Sequence, residues 1–302
     1  MKDRFKALLT FLATFFLVSC SSGSDGDEPI PEPPVIRKIP ISLSCVVPAA
    51  TRVSDTGYEK DDKIGLYVVS YNGNTPGTLL QSGNSVDNMC FTYNGTWTPT
   101  SPIYWKDETT PADFYCYYPY ATPANITAFT FSVKPDQSTL NAYKASEFLY
   151  GKASKIYPTE EAVNITTQHL FSCAVIKIAA GNGFTEESLA NASVSIKLNG
   201  CKTGASINLK EGFVTATGEP TSIFPLKEEK QYKALVVPQT VQADNFITVT
   251  VDGRVYNLKK EFTFVSGKRH LFTVTVSKTS NGVNVDIGDW EDDGKDNGGT
   301  AE

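Results

Sequence analysis

The stretch Ile41-Ser42-Leu43-Ser44-Cys45-Val46-Val47 sets apolar residues at every second position. Successive side chains of an extended strand point to opposite faces, so Ile41, Leu43, Cys45 and Val47 share one face. The pattern predicts a strand with that face buried. A strand of this kind needs a sheet to complete its hydrogen bonds and a second layer to cover its apolar face.

Short runs of the same kind recur along the 302 residues, while long helical periods are missing. The dipeptides Asn94-Gly95 and Asp252-Gly253 are typical of hairpin turns. The sequence therefore predicts an all-β protein built from antiparallel β-sandwiches. We predict one strand over 169–178, the longest apolar strand in the chain, and two separate strands over 192–198 and 205–209.

The N-terminus reads as a secretory signal: a basic start (Lys2, Arg4, Lys6) precedes an apolar run that is too short to span a bilayer. The run ends in Leu17-Val18-Ser19-Cys20, which resembles a bacterial lipobox. We therefore predict a signal peptide over 1–19 and acylation of Cys20, which would anchor the chain in a membrane. The alternative is an ordinary cleaved signal with an incidental cysteine.

Residues 20–38 are small, acidic and proline-rich, and 291–302 are acidic and glycine-rich, so both are predicted to be disordered. The length between them is sufficient for two domains, predicted over 39–164 and 165–290. The net charge of −6 argues against a nucleic-acid partner, because phosphate binding requires a basic surface.

Five cysteines follow Cys20, an odd number that cannot pair completely within one chain. Three of them, Cys45, Cys116 and Cys173, lie in apolar runs, where cysteine acts as a small hydrophobic residue. We interpret the cysteines as unpaired core residues; one disulfide is possible, but the spacing does not identify it.

The chain lacks the motifs of known catalytic, cofactor-binding and metal-binding sites, so we predict no enzyme, cofactor or metal. Its two histidines, His169 and His270, are interpreted as hydrogen-bonding residues at strand ends. An aromatic cluster between Trp97 and Tyr120 could stack on sugars, which leaves a surface glycan-binding lipoprotein as the alternative function. The competing interpretation of this cluster is sandwich core.

Several blocks in order resemble the Bacteroidetes fimbrillin-like proteins, the subunits of type V pili. They are the lipobox, the strand 41–47 followed by Ala50-Thr51-Arg52, and the segments 57–69, 97–105, 113–120, 169–178, 267–270 and 287–290. The resemblance implies two transthyretin-like sandwiches, a lipoprotein precursor at the outer membrane surface, and a fimbrium subunit active in adhesion. Its expected partners are other pilus subunits, the outer membrane through the lipid, and a host or bacterial surface ligand.

The resemblance also implies proteolytic maturation after an arginine, here Arg52, with Arg37 as the fallback. The first strand, with Ile41, Leu43, Cys45 and Val47, would then leave a groove for a strand from another subunit. We hypothesise that the C-terminal strand with Val283, Val285 and Ile287 is a donor for that groove. Alternatively it completes its own second domain, in which case the subunit is a tip or accessory pilin.

Overall fold

The computed structural model describes residues 38–47, 57–278, 284–289 and 299–300, with side chains left out for 243–244 and 284–300. These residues form strands with two short helices, α1 (Leu140–Lys144) and α2 (Glu186–Ala190). The strands are β1 (Leu43–Val46), β2 (Lys63–Ser70), β3 (Val86–Tyr93), β4 (Trp97–Pro99), β5 (Ala112–Tyr118), β6 (Phe129–Ser132), β7 (Leu149–Ile156), β8 (Val163–Thr166), β9 (Gln168–His169), β10 (Ser172–Ala180), β11 (Val194–Asn208), β12 (Phe213–Ile223), β13 (Leu226–Glu228), β14 (Gln231–Val236), β15 (Gln239–Val251), β16 (Arg254–Phe264), β17 (Arg269–Val276), β18 (Asn284–Asp289) and β19 (Gly299–Thr300).

The first half of the chain builds one large antiparallel sheet and one small parallel sheet. The large sheet has the order β4-β3-β2-β5-β7-β9, and the small sheet contains β1 and β8. Almost every residue of β2 and β5 is buried, as expected for central strands covered on both faces. These two strands are therefore the centre around which the first half is arranged.

The second half builds two further sheets, β13-β14-β10-β17-β18-β19 and β12-β11-β15-β16. Their neighbours are antiparallel except for β10 and β17, which run parallel. The prediction of an all-β protein with mainly antiparallel sheets is confirmed. Strand alternation does not reveal direction, so the two parallel pairs, β1–β8 and β10–β17, were not foreseen.

Two large apolar clusters fill the space between the sheets. One lies in the first half and includes Ile41, Leu66, Phe91 and Phe114. The other combines first-half residues such as Tyr117 with residues of the second half, and β6 pairs with β11 across the same division. The boundary between 164 and 165 and the division into two domains stay predictions.

Two strand predictions were wrong. Residues 169–178 do not form one strand, because β9 joins the first-half sheet and β10 a second-half sheet. The two strands predicted over 192–198 and 205–209 fall largely within one strand, β11 (Val194–Asn208), which is the longest of the described strands. Its polar middle, 199–204, breaks the apolar alternation, but the backbone remains paired through register shifts.

The hairpin at Asp252-Gly253 is confirmed. It joins β15 to β16, and both turn residues have positive φ, 47° and 83°, as a type I′ turn requires. The second predicted hairpin, at Asn94-Gly95, joins β3 to β4. These local signals could be read from sequence because they depend only on adjacent residues.

Gly65 in β2 provides a test of the central packing. A Cβ atom at this position would lie 2.3 Å from Cε1 of Tyr117, and the Tyr117 hydroxyl is held by Asn88 and by the carbonyl of Ala121. Because the ring cannot move aside without losing these bonds, Gly65→Ala should lower the free energy of unfolding by about 1–3 kcal/mol. Urea denaturation measures this change.

The control for that variant is Gly83→Asn. Gly83 has a φ of +86° with open space around it, and asparagine tolerates this conformation better than other residues. We expect it to unfold close to the wild-type urea midpoint. Equal midpoints for the two variants would contradict the packing argument.

Candidate functional site

The leading segment, defined as residues 39–47, contacts a second stretch of chain along one edge. The Ile41 N–H donates to the carbonyl of Ile103 at 2.9 Å, and the Trp105 N–H donates to the carbonyl of Ile39 at 3.0 Å. These bonds define a short antiparallel pairing with residues 103–105. Odd-numbered residues of the leading segment therefore direct their backbone groups to this side.

The other edge of the leading segment pairs with β8. The Val163 N–H donates to the carbonyl of Ser42 at 2.8 Å, and the Thr167 N–H donates to the carbonyl of Val46 at 2.9 Å. Within the described residues, β8 has no strand partner other than β1. Removal of the leading segment would therefore leave β8 with an unpaired edge, which is a template for another strand.

The side chains of the leading segment alternate as the sequence predicted. Ile41, Leu43, Cys45 and Val47 are buried, with exposed fractions of 4–7%, whereas Val46 is 51% exposed. The first three belong to the apolar cluster of the first half. The segment thus contributes both an edge and part of a core, and its removal would open a row of apolar pockets.

A small polar and aromatic group holds the end of the leading segment. The indole Nε1–H of Trp97 donates to the carbonyl of Cys45 at 3.3 Å, and the Thr167 hydroxyl donates to the carbonyl of Val46 at 3.2 Å. The Tyr58 hydroxyl lies 2.8 Å from that of Thr167. We call Tyr58, Trp97 and Thr167 the Trp97 clasp.

The Trp97 clasp is rigid because its rings pack on one another. The rings of Tyr58 and Trp97 meet edge to face, with centroids 4.8 Å apart. Burial raises the pKa of Tyr58 well above its ordinary value, so its hydroxyl stays protonated and can donate to Thr167 at any physiological pH. The Trp97 clasp therefore carries no charge and binds the backbone carbonyls of the leading segment by hydrogen bonds.

Two thiols meet beneath the leading segment. The Sγ atoms of Cys45 and of Cys116, in β5, lie 3.7 Å apart, and both side chains are buried. The hydrogen bond with Cys45 and burial both raise the pKa of the Cys116 thiol. In this structure Cys45, Cys90, Cys116, Cys173 and Cys201 are free thiols, and all of them except the half-buried Cys90 are buried.

The predicted donor strand lies in β18, which pairs antiparallel with β17. Val285 is opposite Val274 and Ile287 is opposite Phe272. In this structure the strand therefore extends a sheet of its own chain. That arrangement corresponds to the alternative hypothesis, in which the C-terminal strand completes its own domain and is not donated. Its role as a donor stays a prediction. Val283 lies outside the described residues.

Three other predicted positions also lie outside the described residues: the lipidation site Cys20, the maturation site Arg52 and the fallback Arg37. Arg52 follows Val47 by five positions in the sequence. A cut there would separate the leading segment from the rest of the chain. These roles stay predictions.

The aromatic cluster proposed for sugar stacking is mostly core, so that interpretation of it was wrong. Trp97, Trp105, Phe114, Tyr115 and Tyr117 are buried. Tyr118 and Tyr120 are partly buried, and only Tyr104 is largely exposed, at 41%. Stacking on a sugar requires an open ring face, and the ring faces of the buried residues are covered by neighbouring side chains such as Phe114 against Trp105.

The two histidines make buried hydrogen bonds near strand ends, as predicted. His169 Nδ1 lies 2.9 Å from a carboxylate oxygen of Glu147, and His270 Nε2 accepts from the Val265 N–H at 3.3 Å. Across the part of the chain that the structure describes, no cluster of His, Cys, Asp and Glu has an arrangement suited to a metal ion. In that same part, no helix has the length and apolar character needed to cross a membrane.

Comparison with known proteins agrees with the fold. The fimbrillin-like family model matches residues 51–290. The chain belongs to the fimbrillin-like family. The sequence-based recognition of this family, on the blocks 57–69 to 287–290, is confirmed.

Individual proteins and a solved structure are also similar to this chain. The chain is 27% identical to "Putative fimbrium subunit Fim1C" of Bacteroides uniformis over 94% of each protein. It is 26% identical to "Putative fimbrium tip subunit Fim1C" of Bacteroides ovatus over 43% of this chain and 26% of that one. A crystal structure of a "putative cell adhesion protein" from Bacteroides uniformis superposes with a TM-score of 0.63 at 23% identity, over 83% of this chain and 99% of that chain. At this identity the structural match shows a shared fold.

Sequence analysis missed three parts of this site: β8 as the partner of β1, the Trp97 clasp, and Cys116 as the neighbour of Cys45. Each joins residues more than 50 positions apart. The apolar alternation Val163-Asn164-Ile165 was a signal for β8, but it did not reveal the partner strand. No local signal connected Trp97 to the backbone of Cys45.

The Trp97 clasp can be tested with Trp97→Phe, which keeps a ring and removes the indole donor. Loss of one hydrogen bond of about 1 kcal/mol should increase opening of the leading segment by roughly fivefold. Hydrogen exchange of residues 42–47, followed by mass spectrometry, measures this opening.

Trp105→Phe is the matched control. It removes an equivalent indole bond, 3.2 Å to the carbonyl of Thr159, which is not part of the leading segment. We expect exchange of residues 42–47 to change little in this variant. An equal increase in both variants would show that the clasp has no special role.

Proposed function

We propose that this protein is a cell-surface fimbrium subunit that is exported as a lipoprotein and assembled by strand exchange after proteolysis. The precursor is anchored at the outer membrane through acyl chains on Cys20. Cleavage after Arg52 then makes the leading segment replaceable, and a strand from another subunit takes its place. The assembled fimbrium contributes to adhesion.

A single observation carries this proposal: the leading segment is the only strand partner of β8 in the described chain, and it also fills part of the core. Its two edges pair with different stretches, 103–105 and 163–167, while Ile41, Leu43 and Cys45 enter the apolar cluster. An incoming strand with apolar residues at alternate positions would restore both the backbone bonds and the core.

The energetics favour displacement over spontaneous release. Burial of Ile41, Leu43 and Val47 contributes about 1.5–3 kcal/mol for each side chain. The cut leaves these contacts intact, so the segment would stay bound after cleavage until a competing strand displaces it. The groove would therefore not be left open to water or to aggregation between cleavage and assembly.

Two roles of β18 agree with this assembly. Val283, Val285 and Ile287 have the required alternate spacing, so β18 of a neighbouring subunit could serve, provided that it leaves β17. If β18 remains in its own sheet, the chain accepts a strand but donates none, which suits the end of a fimbrium. The local likeness to a protein named as a tip subunit supports this second arrangement.

The proposed partners follow from this assembly. They are other fimbrium subunits, the outer membrane through the lipid on Cys20, and a ligand on a host or bacterial surface. A structural role without catalysis agrees with membership of the fimbrillin-like family. The net charge of −6 does not favour a nucleic-acid partner.

Arg52→Ala tests the maturation step. Because trypsin-like proteases require a basic residue before the cut, the variant should stay at its precursor length and fail to form polymers. N-terminal sequencing of surface protein, which should begin at Val53 in the wild type, and gel analysis of polymers give the readout.

Arg37→Ala is the control, since a cut at Arg37 precedes the leading segment and would open no groove. It should polymerise like the wild type. Normal polymers formed by Arg52→Ala would contradict the proposed maturation.

Cys20→Ser tests the lipid anchor. Serine cannot form the thioether to the lipid, so the variant should lose incorporation of a labelled fatty acid and leave the membrane fraction. Cys90→Ser, at a half-buried thiol elsewhere, should keep both properties. Fatty-acid labelling that persists in Cys20→Ser would contradict lipidation of Cys20 and place the lipid on another residue.

A further inference from the structure

The Cys45–Cys116 pair joins the part of the chain that would leave to the part that would remain. Cys45 belongs to the leading segment, and Cys116 belongs to β5 at the centre of the first-half sheet. Their Sγ atoms are 3.7 Å apart, and a disulfide requires about 2.05 Å. The remaining approach of less than two ångströms is within the range of a side-chain rotation with a small backbone adjustment.

The position of Cys116 makes it a firm anchor. It is fully buried, and β5 is paired on both sides, with Cys116 opposite Leu66 of β2 and opposite Gly151 of β7. The leading segment, by contrast, lies at the periphery with β8 as its partner strand. A covalent bond between the two would tie a replaceable segment to a buried strand that is paired on both edges.

The other described cysteines have no such arrangement. Cys173 Sγ lies 3.6 Å from the hydroxyl of Tyr143, and Cys201 Sγ contacts the carbonyl of Asn199. Cys90 is partly exposed on β3. Among the cysteines that the structure describes, Cys45 and Cys116 are thus the pair brought within contact distance.

We propose that Cys45 and Cys116 form a disulfide under oxidising conditions and that this bond locks the leading segment in its groove. Strand exchange then proceeds only while both residues are thiols. The locking effect rests on the proposed function, whereas formation of the disulfide does not.

The chemistry is thiol–disulfide exchange with a disulfide oxidant, either a small molecule or an oxidoreductase. One cysteine thiolate attacks the oxidant, forming a mixed disulfide and releasing one thiol. The second cysteine then attacks the mixed disulfide, forms the Cys45–Cys116 bond and releases the second thiol. The two cysteines lose two electrons and two protons, and the oxidant gains them.

Burial determines when this reaction takes place. The thiolate is the reactive form, and the pKa of Cys116 is raised by its hydrogen bond with Cys45 and by burial. The thiols therefore react slowly while the leading segment occupies its groove. Oxidation occurs during folding or while the leading segment is displaced from the groove. The redox state set at folding persists after the segment closes over the two sulfurs.

The first measurement is of the bond itself. The full chain is refolded in a mixture of reduced and oxidised glutathione, or in dithiothreitol, and digested with pepsin at low pH to prevent exchange. Mass spectrometry should find a Cys45–Cys116 linked peptide in the first sample and none in the second. Cys116→Ser and Cys45→Ser should abolish the linked peptide, and Cys90→Ser should retain it.

The second measurement is of the lock. Both redox forms are cut after Arg52 with trypsin and mixed with a fluorescent peptide that copies residues 39–47 with Cys45→Ser. The reduced form should take up the peptide, and the oxidised form should take it up at least about tenfold more slowly, because displacement would require breaking a covalent bond. Dithiothreitol should restore uptake.

The outcomes separate the two claims. A folded, oxidised protein without the linked peptide overturns the disulfide, and equal uptake by both forms overturns the lock. If the disulfide forms but neither cut form takes up the peptide, the result overturns the proposed strand exchange and, with it, the proposed lock. The proposal that the disulfide forms is unaffected by that result. Under both redox conditions, Cys116→Ser should take up the peptide as fast as the reduced wild-type protein does. An uptake rate that depends on redox conditions in this variant would also overturn the lock.

Discussion

The pairing of residues 39–47 with two separate stretches of chain is the constraint on which the sheets of the first half depend. The segment satisfies the backbone of 103–105 on one side and of 163–167 on the other. At the same time its residues Ile41, Leu43 and Cys45 belong to the same apolar core as Ile165. Because buried backbone groups must be paired, no part of this arrangement can be removed without a replacement of the same shape. Under the proposed function, the occupant that these properties suit is a strand rather than a small molecule.

Backbone pairing and burial differ between the central strands of the first half and the leading segment. β2 and β5 are paired on both sides and nearly fully buried, so they form a base that stays intact when the periphery changes. The leading segment has side chains that hold it firmly, but its strand β1 lies outside the large sheet, and in the described chain its backbone pairs with residues 103–105 and 163–167. Long-range contacts close the groove at its end, where Trp97 and Thr167 bind carbonyls without reference to side-chain identity. Such contacts suit a groove that receives different strands in turn.

The alternation at Ile41, Leu43, Cys45 and Val47 was sufficient to predict which side chains are buried. The two turn dipeptides, at 94–95 and 252–253, were sufficient to predict hairpins. The prediction failed where alternation was interrupted, in the polar middle of β11, and where an apolar run crossed from one sheet to another between His169 and Ser172. A continuous apolar run reports burial and contains no information about a change of sheet. The aromatic residues from Trp97 to Tyr120 were similarly ambiguous, since core and binding surface use the same side chains.

The sequence by itself determined the all-β class, the buried face of the leading segment and the family. These properties depend on residue type and on spacing over a few positions. The tertiary structure alone decided that β1 runs parallel to β8, that Trp97 holds the carbonyl of Cys45, and that Cys116 lies against Cys45. The reason is that alternation specifies the face of a strand but not its neighbour. Neighbours are selected by the packing of the whole sheet, among residues that are far apart in the chain.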